Sequence, residues 1–300
     1  MSSGASVSSN LLKRAKKERS GYLFILPHFI FFAVFFLIPV VWGIYYSFFN
    51  YTLFEFDFWG LKGYAKLLKD RYFWIALRNT FYYTAGIVPL WLIKALIISV
   101  LLFPFSTRLQ TIFKSMFYLP HVSSLVIISL IWLWIYEPQY GLLNAMMKLL
   151  HLPTQIWLGN RFLALPSIIF MQFVMGGGST IVLVSAALAS IPPSFVEVAR
   201  IEGANPVQVF FKILLPSIKP IILYLVVMGT INSFQVFTQV YVLTRGGPEF
   251  ATTTMVYQIY YRAFENFDLG ASLAQSVLMM LILVVFAIIQ FKWLGGEVEY

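Results

Sequence analysis

The chain has 300 residues, of which 60% are hydrophobic and 11% charged, against roughly 25% charged in an ordinary soluble domain. Its formal net charge is +9, but no basic run with interleaved aromatics lies outside the apolar stretches. The charge therefore speaks for membrane loops and lipid contact, not for nucleic acid. The chain has no Cys, and its three histidines, His28, His121 and His151, are widely spaced. Disulfides, thiolate metal sites and lipidation at Cys are excluded, and no metal cluster can be argued.

Residues 1–20 are Ser-rich and then basic, with Lys13, Arg14, Lys16, Lys17 and Arg19. The apolar run that follows is too long for a signal peptide and lacks a small-residue cleavage site. It reads as a retained first span behind a cytoplasmic tail. Stretches of about 20 apolar residues cross a membrane as helices. Six are long enough: Tyr22–Phe48, Leu77–Phe103, Ile112–Tyr136, Phe162–Ser190, Ile218–Leu243 and Leu269–Trp293. Pro27, Pro39, Pro89, Pro120 and Pro166 are expected to kink or end them. The basic tail sets the orientation. An even number of spans then puts both termini in the cytoplasm.

The first outer loop, residues 49–76, holds Leu61, Tyr64, Leu67 and Leu68 at helical spacing among lysines, which predicts an amphipathic helix. A short apolar stretch around Met146–Leu152 predicts a cap over the outer face. Arg245-Gly-Gly-Pro248 predicts a sharp turn.

Between the fourth and fifth spans lies a polar segment, Pro192–Pro220, too long for a simple connector. Ser194 and Glu197 match a capping box, so a helix is expected to start near Phe195. Gly203 suits the left-handed position after that helix, and Asn205-Pro206 suits the start of a second. Glu197, Arg200 and Ile201 share one side of the first. Two short helices with a glycine corner make a rigid projection that fits a partner's groove.

Polar groups inside spans mark a pathway or interhelical bonding. Gln172 in the fourth span and Asn232, Ser233 and Gln235 in the fifth lie about 15 Å deep at 1.5 Å per residue. Asn232, Gln235 and Gln239 share a face by their spacing, near Phe234 and Tyr241. Amides with aromatic rings suit a neutral polyol. Gly176-Gly-Gly-Ser179-Thr180 lacks the Lys of a P-loop. It reads either as close helix packing or as a break that bares backbone to a watery path. Lys94, well inside the second span, either snorkels, pairs with a partner subunit, or meets an anionic sugar acid. No Asp or Glu lies well inside a span, which argues against an ion-coupled secondary transporter of a small polar solute, the main rival.

Glu197-Val-Ala199, Gly203 and Ile213-Leu-Leu215-Pro216 resemble the EAA loop of ABC importer permeases, with Val198 where Ala is usual. Tyr118-Leu-Pro120, Gly141-Leu-Leu-Asn144, Arg78-Asn79-Thr80 and Leu243-Thr-Arg-Gly-Gly-Pro248 resemble the carbohydrate branch of that family. The resemblance implies an all-α polytopic membrane protein of six transmembrane helices. Its fold would be that of a type I ABC importer permease, with a cytoplasmic two-helix coupling loop at 192–217. Residues 1–20 would be the tail and 21–300 the permease domain. It implies ATPase coupling through Glu197, Ala199, Arg200, Gly203, Ala204, Ile213, Leu215 and Pro216. It favours Gln172, Gly176, Ser179, Asn232, Ser233 and Gln235 as the substrate path. The partners it implies are a second permease subunit in a heterodimer, two ATPase subunits that carry ATP and Mg, and an extracytoplasmic solute-binding protein. This chain would bind no cofactor, and it would reside in a bacterial or archaeal cell membrane.

Overall fold

The computed structural model describes residues 19–294. Most of the predicted basic tail, including Lys13 to Lys17, lies outside the described residues. The rest is helical, with one small hairpin. Helix α1 runs Arg19–Phe32, through a π-turn Ala33–Leu37, into Ile38–Tyr46. A hairpin follows, β1 (Phe49–Tyr51) antiparallel to β2 (Phe56–Phe58), with Phe49 opposite Phe58. It corrects the all-helical expectation for this loop, and its aromatic residues suit cross-strand pairs. Helix α2 (Lys62–Lys69) is the predicted amphipathic helix. It buries Leu67 and half-buries Tyr64, but leaves Leu61 and Leu68 exposed.

Helix α3 (Arg71–Leu102) is the axis of the molecule. Its buried residues, Phe73, Ala76, Thr80, Tyr83, Ile87, Ala95, Ser99 and Leu102 among them, fall at steps of three, four or eight residues. That spacing gives one long buried face. Against it pack α7 (Ala164–Met175), α8 (Gly178–Ala189) and α11 (Lys219–Phe234). The remaining helices are α4 (Thr107–Val122), α5 (Leu125–Ile135), α6 (Leu142–Leu149), α9 (Pro193–Ile201), α10 (Pro206–Ser217), α12 (Thr238–Leu243), α13 (Met255–Tyr260) and α14 (Leu269–Leu294).

Among the described residues, four helical stretches are long and apolar enough to cross a membrane, and the count is six if each of two bent pairs is one span. The bent pairs are α4 with α5, at 93°, and α7 with α8, at 48°. The prolines do not sit at these breaks, although Pro120 lies in the last turn of α4, just before one. Pro27 and Pro89 sit inside helices, Pro39 follows the π-turn within α1, and Pro166 lies in the first turn of α7, where a missing N–H costs nothing. The breaks fall at Ser123-Ser124 and Gly176-Gly177 instead.

Motifs far apart in sequence meet at the Arg71 end of α3. Asn79 donates to the carbonyl oxygens of Phe250 and Thr253, at 2.8 and 3.0 Å. The Thr80 hydroxyl accepts from the Met255 N–H at 2.9 Å. The segment after the Arg245–Pro248 turn is thus tied to the axial helix through the buried side chains of Asn79 and Thr80. Asn144 closes the α6 region in the same way. It donates to the carbonyls of Pro138 and Gln155, and it accepts from the Gln155 N–H and the Trp157 indole, all between 2.8 and 3.1 Å. All four bonding positions of a buried amide are filled.

Candidate functional site

The polar segment after α8 is two helices and a corner. Helix α9 begins at Pro193, two residues earlier than the sequence suggests, with proline in its first turn and no side-chain cap. The Ser194–Glu197 capping box does not form, because Ser194 is already inside the helix. Proline at a first turn pre-sets the backbone and removes one donor that needed a cap. The capping box appears one helix later. The Asn205 side chain accepts from the Gln208 N–H at 2.8 Å, and the Gln208 side chain accepts from the Asn205 N–H at 2.9 Å. Between them Gly203 has φ +83°, the left-handed conformation that glycine alone adopts without penalty. The Ala204 N–H reaches back to the Ala199 carbonyl at 2.9 Å and closes the corner.

This loop has an inner and an outer face. Ala199, Val209, Leu214 and Ile218 are buried in one core with Ala95 of α3 and Ile181, Val184 and Leu188 of α8. Ala204 and Ile213 pack against that core. Each Val, Leu or Ile among them taken from water contributes about 1.5–3 kcal/mol. Glu197, Arg200, Gly203 and Pro216 are exposed and Leu215 is half-buried. Ile201 is 85% and Val207 64% exposed. The residues singled out by the EAA-like pattern therefore divide into anchors and a free surface. Nothing in the local residue spacing marks Val207 as part of that surface.

The candidate path residues line one cavity of about 600 Å³. Gln172, Gly176, Ser179, Asn232, Ser233 and Gln235 all border it, with Trp91 and His121. They do not all stand free. The Ser233 hydroxyl donates to Thr84 at 3.0 Å and is buried between α11 and α3. The Gln172 oxygen accepts from Gln239 at 3.0 Å. The side chains of Asn232 and Gln235 are exposed to the cavity, and Ser179 is half-buried at its wall. The expected aromatic neighbour changes too. Phe234 is buried against Phe286, while Phe237 lines the cavity, stacked on Tyr241 at 5.4 Å. The reason is that α11 ends at Phe234 and the chain unwinds over 235–237 before α12, so continuous helical spacing does not hold there.

The glycine run both breaks the helix and packs closely. Gly177 has φ +81° and breaks the span between α7 and α8. A Cβ on Gly176 would lie 2.9 Å from the Trp91 ring, and one on Gly178 would lie 2.4 Å from the Phe117 carbonyl oxygen. Lys94 turns to backbone, and among the described residues of this chain it meets no carboxylate. Its ammonium donates to the carbonyl of Phe173 and, at 2.6 Å, to that of Gly176, with the Phe173 ring centroid 5.0 Å away. The acceptors come from another helix, so α3 alone carried no signal of them. A slightly larger recess, about 660 Å³, lies at the far end of α3 among Arg71, Arg78, Arg161 and Glu249. Arg161 and Glu249 pair there at 3.1 Å, both largely exposed.

Residues 95–298 match the family model described as "binding-protein-dependent transport system inner membrane component". The chain is similar to the probable ABC transporter permease protein YesP of Bacillus subtilis, at 34% identity over 95% of this chain and 93% of that one. It is also similar to the sn-glycerol-3-phosphate transport system permease protein UgpA of Yersinia pestis, at 31% identity over 93% and 95%. Its fold matches a chain of a bacterial alginate ABC transporter crystallised in complex with an alginate pentasaccharide-bound periplasmic protein. The TM-score is 0.81, at 23% identity, over 94% of this chain and 96% of that one. The chain belongs to the binding-protein-dependent transport system inner-membrane components, the non-catalytic permease subunits of ABC transporters.

Proposed function

We propose that this chain forms half of the translocation path of an ATP-driven importer for a saccharide and receives its driving force through the loop at 192–217. In this reading each bent pair is one span, which gives six spans with both termini and the loop in the cytoplasm. The outer face of the loop, with Glu197, Arg200, Ile201 and the corner at Gly203, docks in a separate ATPase that holds ATP and Mg. Ala199, Ala204, Ile213 and Leu215 seat it on the bundle, and Pro216 lies on the exposed side. A second permease chain, two ATPase chains and an extracytoplasmic solute-binding protein complete the machine. Names of relatives support a carbohydrate or glycerol-phosphate class of cargo.

One observation carries this reading. The core that anchors Ala199, Val209 and Leu214 is built on α3 and α8, and those same helices wall the polar cavity. A push on the loop therefore reaches the cavity through packed side chains, which move as discrete units and not as a soft medium. Of the six candidate path residues, Asn232, Gln235 and Ser179 make no side-chain hydrogen bond to the described residues and can bond hydroxyls, with Gln172 held in place by Gln239 and Ser233 bonded between helices. Gly176 lets backbone border the path. Among the described residues no Asp or Glu lines it, so an ion-coupled cycle finds no carboxylate among them to use. The test is import into proteoliposomes by the assembled complex with its binding protein and a panel of sugars. Uptake is expected to require ATP and to persist when ion gradients are collapsed. Accumulation driven by an ion gradient without ATP would overturn the proposal.

A further inference from the structure

The break between α7 and α8 creates a problem that one helix of this chain solves. A helix that ends inside a membrane leaves its last carbonyls without donors, and lipid supplies none. The negative end of the α7 dipole also sits at that point. The Gln172 carbonyl already accepts from the Gly176 N–H at 2.8 Å, and two side chains of α3, one turn apart, add further donors at this end. The Trp91 indole donates to the Gln172 carbonyl at 3.1 Å, and the Lys94 ammonium donates to the carbonyls of Phe173 and Gly176. Trp91 and the Lys94 stem also lie against Gly177, 3.0 and 3.4 Å from where its Cβ would be. The side chain of Gln172, on the same residue whose backbone Trp91 holds, faces the cavity.

We propose that Lys94, with Trp91, is a positioning residue that latches the carbonyl end of α7 across the glycine break and thereby sets where Gln172 stands in the cavity wall. Lys94 does not line the cavity, and its ammonium already has two carbonyl acceptors and an aromatic face. It acts on cargo through α7 and not as a ligand for an anionic sugar. The inference rests on the reading of the cavity as the translocation path, and the two can fail separately.

The absence of Cys allows the latch to be read directly. A single thiol is placed by Gln172→Cys, and its labelling rate with a water-soluble maleimide is measured in the assembled importer. Adding Lys94→Met is expected to change that rate at least about fivefold, and Lys94→Arg, which keeps the charge and donors, to stay within about twofold. Sugar imported per ATP hydrolysed is expected to fall about tenfold in Lys94→Met and to recover largely in Lys94→Arg. If Lys94→Met fails to assemble, Trp91→Phe removes one donor and carries the same labelling test. Unchanged labelling in an assembled Lys94→Met or Trp91→Phe complex would overturn the latch. So would an import loss confined to acidic sugars, which would make Lys94 a ligand. Normal import by Asn232→Ala and Gln172→Ala would sink the cavity reading alone, since the labelling shift would still stand.

Discussion

Two glycine corners in this chain have nearly the same backbone and opposite surroundings. Gly203, between α9 and α10, has φ +83° and nothing within 4 Å of where a Cβ would be. Gly177, between α7 and α8, has φ +81°, and its neighbour Gly178 has a Phe117 carbonyl oxygen 2.4 Å from the Cβ position. The first corner needs glycine for its torsion angle alone. The second needs it for torsion and for space. The difference follows from what each corner faces. The loop corner stands clear of the bundle, where a partner can approach it. The span corner is wedged between α3 and α4, where lipid or cavity would otherwise meet bare backbone.

The largest effect is expected at Gly178. The atoms its Cβ would strike are backbone atoms of α4, Phe117 O and Tyr118 Cα, at 2.4 and 2.9 Å. They cannot swing aside as a side-chain end could. Gly178→Ala is expected to cost about 3 kcal/mol or more, at the upper end of overpacking. It should lower the yield of folded protein after detergent extraction, read by size-exclusion profile and melting temperature. A wild-type melting temperature would show that α4 and α8 are not in this contact.

A smaller and different effect is expected from Gly203→Val. With open space around it, no clash follows. The left-handed backbone costs an L-residue about 1–2 kcal/mol, and β-branching adds to this. The spans are expected to fold and insert as before, since the loop core on Val209, Leu214 and Ile218 lies away from the corner. The corner itself should shift, with loss of most ATPase stimulation by the loaded binding protein. Normal stimulated hydrolysis and transport in this variant would mean that the corner is not where the ATPase is engaged.

How far these corners were legible in the sequence differs, for the same physical reason. At Gly203 the signals are local: glycine, then Asn205-Pro206, and a polar setting in which a helix must end. The second-helix start was therefore readable, whereas the first was offset because Pro193 displaced the Ser194–Glu197 box. In the fourth span the glycine run was equally visible, but packing and breaking are both decided by Trp91, Lys94 and Phe117, which arrive from other helices. The 93° bend at Ser123-Ser124 carried no glycine at all. The apolar periodicity that revealed a span is blind to a break within it, because both halves are equally apolar. The cavity was half-readable on the same grounds. Depth along a helix put Asn232, Gln235 and Gln172 together, while the unwound turn at 235–237 exchanged Phe234 for Phe237.

The smallest effect is the most telling for the comparison. Asn tolerates the left-handed region better than other side chains, since its amide bonds the local backbone there. Gly203→Asn is therefore expected to fold, couple and transport within about twofold of wild type, a change of under about 0.5 kcal/mol. Its counterpart Gly177→Asn has the same torsional allowance but meets Trp91 at 3.0 Å and the Lys94 stem at 3.4 Å. That variant should displace one of them and reduce import more strongly. Parallel transport assays on the two variants separate torsion from space. Equal activity in both would mean that the span corner has room its packing does not show. Equal loss in both would mean that the loop corner is closely covered in the assembled machine, with an ATPase surface reaching within van der Waals contact of Gly203.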